Sequence, residues 1–426
     1  MTIVQSILMF IIVFGVLVFI HELGHYLFAK RAGILVREFA IGFGPKLMSI
    51  RKGETAYTLR MLPLGGYVMM AGYEEDDDIR SGMFVSVELN PQNEITHIDT
   101  TQEVQLNNAL PLEVQDFDLV DELYLVGRVQ GQEELERFKV AETALVTQEN
   151  GVAVQIAPWN RRFNHAKVGD KMLTNFAGPL NNFILAIILF MALAFIQGGT
   201  PPTFNSSPII GDILPNSPAQ TAQIQPGDKI VAIDGEAVDT IEAVSDTISK
   251  HPNEPIMLDV QRDVGRQTLE VTPEQVEAPN GETIGQIGIV YARENGFLAK
   301  VSFGFTQTWD VIKQLVGAFA GLFTGRLGVD QLGGPVAVFQ VTDSVVQTSG
   351  FIGLLSLAAG LSANLGFVNL IPIPGLDGGK LLLNIVELLR GKPISEEKEM
   401  MITMVGALFL IGLMIVVTWN DIQNFF

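Results

Sequence analysis

Cysteine is absent from this chain and histidine is nearly so: there are five, His21, His25, His97, His165 and His251. Without cysteine there can be no disulfide framework and no thiolate metal site. Any metal centre must be built from imidazole and carboxylate. Charge is scarce too, with 17% of residues charged against 48% hydrophobic, and the mean hydropathy is +0.32. Basic residues are the minority within that small share, giving a net charge of −20. That deficit argues against nucleic acid as a partner, because phosphate binding needs Lys and Arg. The N-terminus lacks a basic n-region, and its apolar stretch outruns a signal-peptide core. It reads as a retained membrane helix.

What the chain does have is long apolar runs. Four segments approach the roughly 20 residues a helix needs to cross hydrocarbon. They run from about Ile3 to Ala29, Leu173 to Ile196, Phe351 to Leu370 and Met400 to Val417. The third is rich in Gly, Ala and Ser, which also suits a helix buried among others. Basic residues sit on one side of this arrangement. Lys30, Arg31, Arg37, Lys46, Arg51, Lys52 and Arg60 follow the first span. Arg161, Arg162, Lys167 and Lys171 precede the second, and Arg390, Lys392 and Lys398 lie between the third and fourth. The positive-inside rule then puts both termini and the acid-rich loop from Gly198 to Gly350 outside.

Between the first two spans, Val36 to Val68 is strand-like and punctuated by glycines, among them Gly65 and Gly66. KGETAYTLRM alternates apolar and polar residues, as a half-buried strand does. LPLGGYVMMAG is too short to span and is expected to form a hairpin dipping into the bilayer against the helices. Glu74 to Asp78 is an acidic run read as solvated surface, opening a β-rich insertion. In the outer loop, PIIGDILPNSPA, IQPGDKIVAIDG and TIEAVSDTISK give strand, short helix, strand pair and helix. IMLDVQRDVGRQTLEV follows as a hairpin turning near Val264 and Gly265. From about Ser207 to Pro273 this resembles a PDZ domain of the bacterial protease-associated type, on its SPA and PGD elements. Gln223 stands where that family has a small residue or glycine, so a different helix-to-strand join is expected there. Phe303 to Phe323 has the spacing of an amphipathic helix on the outer leaflet, or of a connector packed on the module.

HELGH, His21 to His25, is the strongest chemical signal. On a helix, positions i and i+4 share a face, so both imidazoles can reach one zinc. Glu22 beside them can take a proton from water at that metal. The motif lies at the inner end of an apolar span, where ionisable residues are expensive and point to function. Two histidines leave a catalytic zinc one protein ligand short. The other three histidines fall in surface-like segments. Asp377, in NLIPIPGLDGGK, is the better third ligand, since Pro372 and Pro374 break the helix and the glycines allow close backbone approach. A helix-capping aspartate would look the same in sequence.

HExxH on the first span, paired with NxxPxPxLDG late in the chain, resembles the site-2 protease family. The PDZ module makes it similar to the bacterial RseP type, in its Gram-positive branch. That likeness covers most of the chain except about residues 80 to 160. It implies a zinc centre of His21, His25 and Asp377, with Glu22 as base. It implies substrate-holding roles for Asn369, Pro372 and Pro374 and, through a GPxxN element, for Asn182 beside Gly178 and Pro179. Strand addition at the glycine hairpin brings in Gly65 and Gly66. Lys380 stands where many members have His, at a position that is not a ligand. The implied fold is a polytopic α-helical membrane protein of about four transmembrane helices, with a membrane-associated β-hairpin or sheet and an extracytoplasmic PDZ (α+β) domain.

The expected division is 1–30, first span with HExxH; 31–75, hairpin region; 76–165, cytoplasmic insertion; 166–198, second span; 199–290, PDZ domain; 291–349, amphipathic connector; 350–390, third span with LDG; and 391–426, fourth span and C-terminus. The implied activity is zinc-dependent cleavage of transmembrane segments of single-span proteins, such as anti-sigma factors, or of remnant signal peptides. The implied place is a bacterial plasma membrane, with the active site near the cytoplasmic side. A non-catalytic PDZ adaptor, or a zinc hydrolase acting on lipid, are the rival readings.

Overall fold

A computed structural model describes residues 3–72, 79–101, 109–147, 153–262, 265–277, 283–328 and 333–425. The acidic run Glu74 to Asp78 and the turn residue Val264 lie outside them. Helix α1 (Ile3–Arg31) leads into two long strands, β1 (Val36–Lys52) and β2 (Thr55–Met70). A β-rich segment follows: β3 (Phe84–Leu89), β4 (Glu94–Asp99), β5 (Leu110–Asp118), β6 (Tyr124–Val129), β7 (Leu135–Thr147) and β8 (Ala153–Gln155). After α2 (Val168–Ile196) come β9 (Ile210–Ile213), α3 (Pro218–Thr221), β10 (Lys229–Ile233), β11 (Glu236–Ala237) and α4 (Ile241–Ser249). Then follow β12 (Ile256–Arg262), β13 (Gly265–Val271), β14 (Glu274–Glu277), β15 (Thr283–Gln286) and β16 (Ile289–Tyr291). The chain ends in helices α5 (Phe297–Phe323), α6 (Pro335–Thr348), α7 (Gly350–Asn369), α8 (Asp377–Arg390) and α9 (Glu396–Phe425). It divides into two compact units, Met1–Leu189 with Thr308–Phe426, and Phe190–Gln307.

Helices α1, α2, α7 and α9 are long and apolar enough to cross a membrane. The sequence expectation located all four but ended the last one early. Helix α7 stops at Asn369, close to the expected end of the third span, and α8 starts afresh at Asp377 after the turn that holds Pro372 and Pro374. The expected connector holds a second helix, α6. Its N-terminus is capped from a distance by the buried Asp421 of α9, whose carboxylate accepts from Gly334 N at 3.1 Å and Ala337 N at 3.0 Å. The insertion closes into a small barrel. β4 pairs with β3 on one edge and, in parallel, with β7 on the other, around a core that includes Val87, Ile95, Leu112, Leu125 and Phe138.

The expected hairpin is a four-stranded sheet made from two bent strands. Residues 36–41 pair with 66–70 on one edge and with 56–59 on the other, while 46–52 pair with the far side of 55–60. The order across the sheet is 66–70, 36–41, 55–60, 46–52. The bends fall at glycines in the left-handed region, Gly42 at φ 88° and Gly65 at φ 103°, a conformation that costs glycine nothing. The sheet seats on α1 through Phe39, whose ring meets Phe19 and Tyr26 edge-on.

Its 53–54 turn is tied down by charge. Glu54 accepts from Arg161 Nη2 at 2.8 Å and from Lys30 Nζ at 3.0 Å. Arg161, and then Lys30, hold the Glu54 carboxyl down at about 2, against 4.5 for a free glutamate. A carboxyl depressed by folding stabilises above its unfolded pKa, and the contribution is lost as pH falls through the folded value. Glu54→Gln is therefore expected to lower the thermal midpoint at neutral pH. It should also flatten the acid dependence of that midpoint between about pH 4.5 and 2. An unchanged acid limb in thermal unfolding would show that the contact contributes nothing.

In the second unit, β10 is central in a four-stranded sheet of order β11-β10-β12-β13, with β16 paired to β9 and β14 to β15. The SPA and PGD elements have structural roles here. Ser217 caps α3 by accepting from Gln220 N, and Pro218 takes the first helical position, where a missing N–H costs nothing. Asp228 is buried and forks with Arg262 at 2.6 and 2.9 Å. Gln223 adopts φ 60°. This is a left-handed conformation that glycine adopts freely and that strains a residue with a Cβ. The unit runs beyond Pro273, to β16.

Candidate metal centre

Helix α1 supplies His21, Glu22 and His25, and the first turn of α8 supplies Asp377. The two histidines lie one turn apart with Nε2 atoms 3.2 Å from each other. Asp377 Oδ2 stands 3.1 Å from His21 Nε2 and 3.3 Å from His25 Nε2. All three residues are buried. Two imidazole nitrogens that close cannot both carry protons, and Oδ2 is buried without a well-formed hydrogen bond. A cation resolves both problems. Ligand atoms about 2.0–2.2 Å from a tetrahedral zinc stand roughly 3.3–3.5 Å apart, close to the three separations found. The donor set therefore fits zinc, with room for a fourth ligand.

Small residues bring the backbones this close. A Cβ at Gly24 would overlap the Ala177 carbonyl, so α1 and α2 cross in direct backbone contact. Gly178, one residue on, faces the centre itself: a Cβ there would overlap His25 Nε2 and stand 2.8 Å from His21 Nε2. On the other side, Gly378 and Gly379 lie under the Leu370, Ile371 and Ile373 carbonyls of the turn before α8. Larger residues would push Asp377 away. Pro374 of this turn packs on Gly406 of α9, and Lys171 of α2 holds the far end of α8 through Glu387 at 2.9 Å.

The ring orientations are fixed from behind. His25 Nδ1 donates to the Thr174 carbonyl at 2.8 Å, leaving Nε2 as the free lone pair. Pro179 lacks an N–H and so leaves the Asn175 carbonyl without its helical donor. His21 Nδ1 lies 3.1 Å from Asn182 Nδ2, while Asn182 Oδ1 is buried without a partner. With Nε2 on a metal, His21 Nδ1 must carry a proton and needs an acceptor. Turning the amide half a rotation presents Oδ1 to it and removes the orphan.

Glu22 lies on the side facing the sheet. A Cβ on Gly66 would stand 3.0 Å from Glu22 Cγ and 3.0 Å from Val18 Cγ1. The segment 66–70 thus runs along α1 beside the glutamate. Gly65 sits in the bend before it. Asn369 ends α7 and donates to its own Leu365 carbonyl at 3.0 Å, with Pro372 and Pro374 in the turn that follows. Asn182, expected at a substrate, lies fully buried against His21. Its peptide carbonyl accepts from Ser362 of α7 at 2.7 Å. Gly24 and Gly178 were not singled out as site residues in the sequence. Both lie in or near recognisable motifs, but their role depends on the helix crossing. His97, His165 and His251 stand outside the cluster, which is the one such group of metal-binding side chains among the described residues.

Known proteins similar to this chain are named as peptidases. The description "Peptidase family M50" matches residues 9–413. The probable protease eep of Enterococcus faecalis is 45% identical over 99% of this chain and all of its own length. The zinc metalloprotease RasP of Bacillus licheniformis is 42% identical over 99% of this chain and all of its own. The regulator of sigma-W protease RasP of Bacillus subtilis is 43% identical over 99% of both chains. Among solved structures, the PDZ domain of an SdrC-like protein from Listeria monocytogenes is 19% identical, covering 22% of this chain and 94% of its own, with a TM-score of 0.18. With three full-length relatives named as proteases, one of them as a zinc metalloprotease, and a family description over residues 9–413, the chain belongs to peptidase family M50, the site-2 proteases, and is a zinc metalloprotease.

Proposed function

We propose that this protein cuts the transmembrane segments of single-span membrane proteins, or remnant signal peptides, with His21, His25 and Asp377 holding zinc and Glu22 as the base. The observation that carries this is the convergence of three ligand atoms in the C-terminal half of an apolar helix. Zinc supplies a Lewis acid that acidifies water and polarises a peptide carbonyl. Glu22 takes the proton from the attacking water and returns it to the leaving amine. The glutamate sits between the ligands and segment 66–70, so a client reaching both must lie extended there. A helix hides its carbonyls, and an unwound client needs new partners. The outer edge of 66–70 offers backbone groups for strand addition. Asn369 and the turn with Pro372 and Pro374 are placed to receive the freed chain on the other side.

The basic residues flanking the spans favour a centre near the cytoplasmic face, with both termini and the acid-rich loop from Gly198 to Gly350 outside. In that unit the strand and helix order supports a PDZ-type module that restricts entry to clients already shortened outside. The relative named for sigma-W regulation makes an anti-sigma factor a reasonable client class. An adaptor would have no need of a complete donor set, and a peptide-capturing module suits a protease better than a lipid hydrolase.

The test is to incubate purified protein with single-span candidates, with and without a zinc chelator, and to map the cut. A cut inside the span that is lost on chelation and restored by zinc is expected. Asp377→Asn is expected to weaken zinc retention by at least about ten-fold, the least that loss of even an outer-shell partner costs. Full occupancy with full activity would remove Asp377 from the ligand set.

A further inference from the structure

The sheet beside the metal centre has a weakness that its sequence repairs. Register is poorly specified in glycine-rich strands, and this sheet bends at Gly42, Gly44 and Gly65. Its 66–70 edge must nonetheless hold one position, because Gly66 touches Glu22. On the side away from α1, three polar residues from three strand segments meet. Glu38 (8% exposed) lies in 36–41, Arg60 in 55–60 and Tyr67 in 66–70. Arg60 Nη2 donates to Glu38 Oε1 at 3.1 Å and to Tyr67 Oη at 2.5 Å, and Tyr67 Oη donates to Glu38 Oε2 at 2.9 Å. Arg60 Nη1 donates to the Gly44 carbonyl at 2.8 Å, which pins the bend. The Arg60 guanidinium also lies over the Tyr67 ring, 5.3 Å from its centroid.

We propose that Glu38, Arg60 and Tyr67 are positioning residues that lock segment 66–70 against Glu22 and so decide which client bond is cut. This rests on the reading that a client lies along that segment. Alternation along a strand supports the assignment. Gly66 and Val68 face α1, so Tyr67 faces the brace, and a slip of one residue would send Tyr67 into α1. Apolar residues on this face would pack as tightly but allow sliding, and buried charge groups are a documented means of fixing register. None of the three touches the ligands, so the brace acts through the strand.

The chain has no cysteine, so Met69→Cys, on the exposed side of the edge segment, gives a single thiol for disulfide cross-linking to single-cysteine clients. In that background, Tyr67→Phe and Arg60→Met are compared with the parent. The readouts are product masses, cross-link position, zinc content and thermal midpoint. Tyr67→Phe removes one oxygen and serves where Arg60→Met fails to fold. The unsubstituted protein is expected to cut one dominant bond, and the Met69→Cys parent to cross-link at one client position. The variants should keep their zinc, spread the cuts over neighbouring bonds, reduce the dominant product about ten-fold and spread the cross-links to match. Cross-linking with an unchanged cut and unchanged positions overturns the brace and leaves strand addition standing. No cross-link in the parent overturns strand addition, and the brace with it.

Discussion

Glu22→Gln is expected to leave zinc bound and to reduce cleavage of a membrane-spanning client by about 10²–10⁴-fold, the usual contribution of a positioned base. The two effects separate because Glu22 is outside the converging set. His21, His25 and Asp377 meet through Nε2, Nε2 and Oδ2, while Glu22 sits on the sheet side against Gly66. Glutamine keeps the shape and the hydrogen-bonding oxygen but cannot accept a proton. Zinc content and client cleavage measured on the same preparation decide the matter. Lost zinc would make Glu22 a ligand or a support. Retained cleavage would move the base elsewhere, and Lys380, one of the charges acting on Glu22, would be the next group to test. A further consequence concerns affinity: with the base neutralised and the ligands intact, the variant should trap uncut client.

The centre was partly legible in sequence because part of it is local. The i, i+4 spacing of His21 and His25 fixes a shared helix face wherever the helix lies. Asp377 was different. A cap and a ligand look alike in LDG, and only the fold of the Leu370–Leu376 turn brings that carboxylate to the histidines. Asn182 was expected to hold substrate. Its contact with His21 Nδ1 depends on how α2 crosses α1, which no spacing within α2 encodes. The sheet shows the same limit. The sequence marked Val36 to Val68 as strand-like, but the two strands there, Val36–Lys52 and Thr55–Met70, each pair twice because they bend at glycine, and the second pairing is non-local. The barrel from β3 to β7 closes through the parallel β4–β7 pairing, which neighbouring residues do not signal.

Gly178→Ala should disable the metal centre with a single added methyl group. The space beside Gly178 is the metal centre. The new Cβ would overlap His25 Nε2 and lie 2.8 Å from His21 Nε2, where van der Waals contact needs more than 3 Å. Neither neighbour can yield cheaply. The His25 ring is held from behind by the Thr174 carbonyl and the His21 ring by Asn182. Moving α2 outward is also resisted, since it would open the close crossing at Gly24 and Ala177 and pull Asn182 away from Ser362 of α7. The strain should therefore fall on the ligands. The variant is expected to lose zinc by well over ten-fold in retention, again taking loss of an outer-shell partner as the lower bound, and to lose cleavage with it. Gly15→Ala on α1 has nothing within 4 Å of the added carbon and should keep both. Metal analysis of the two purified variants, with thermal unfolding as the check on folding, separates the outcomes. A folded Gly178→Ala protein with full zinc would mean that the helices part more readily than this packing allows.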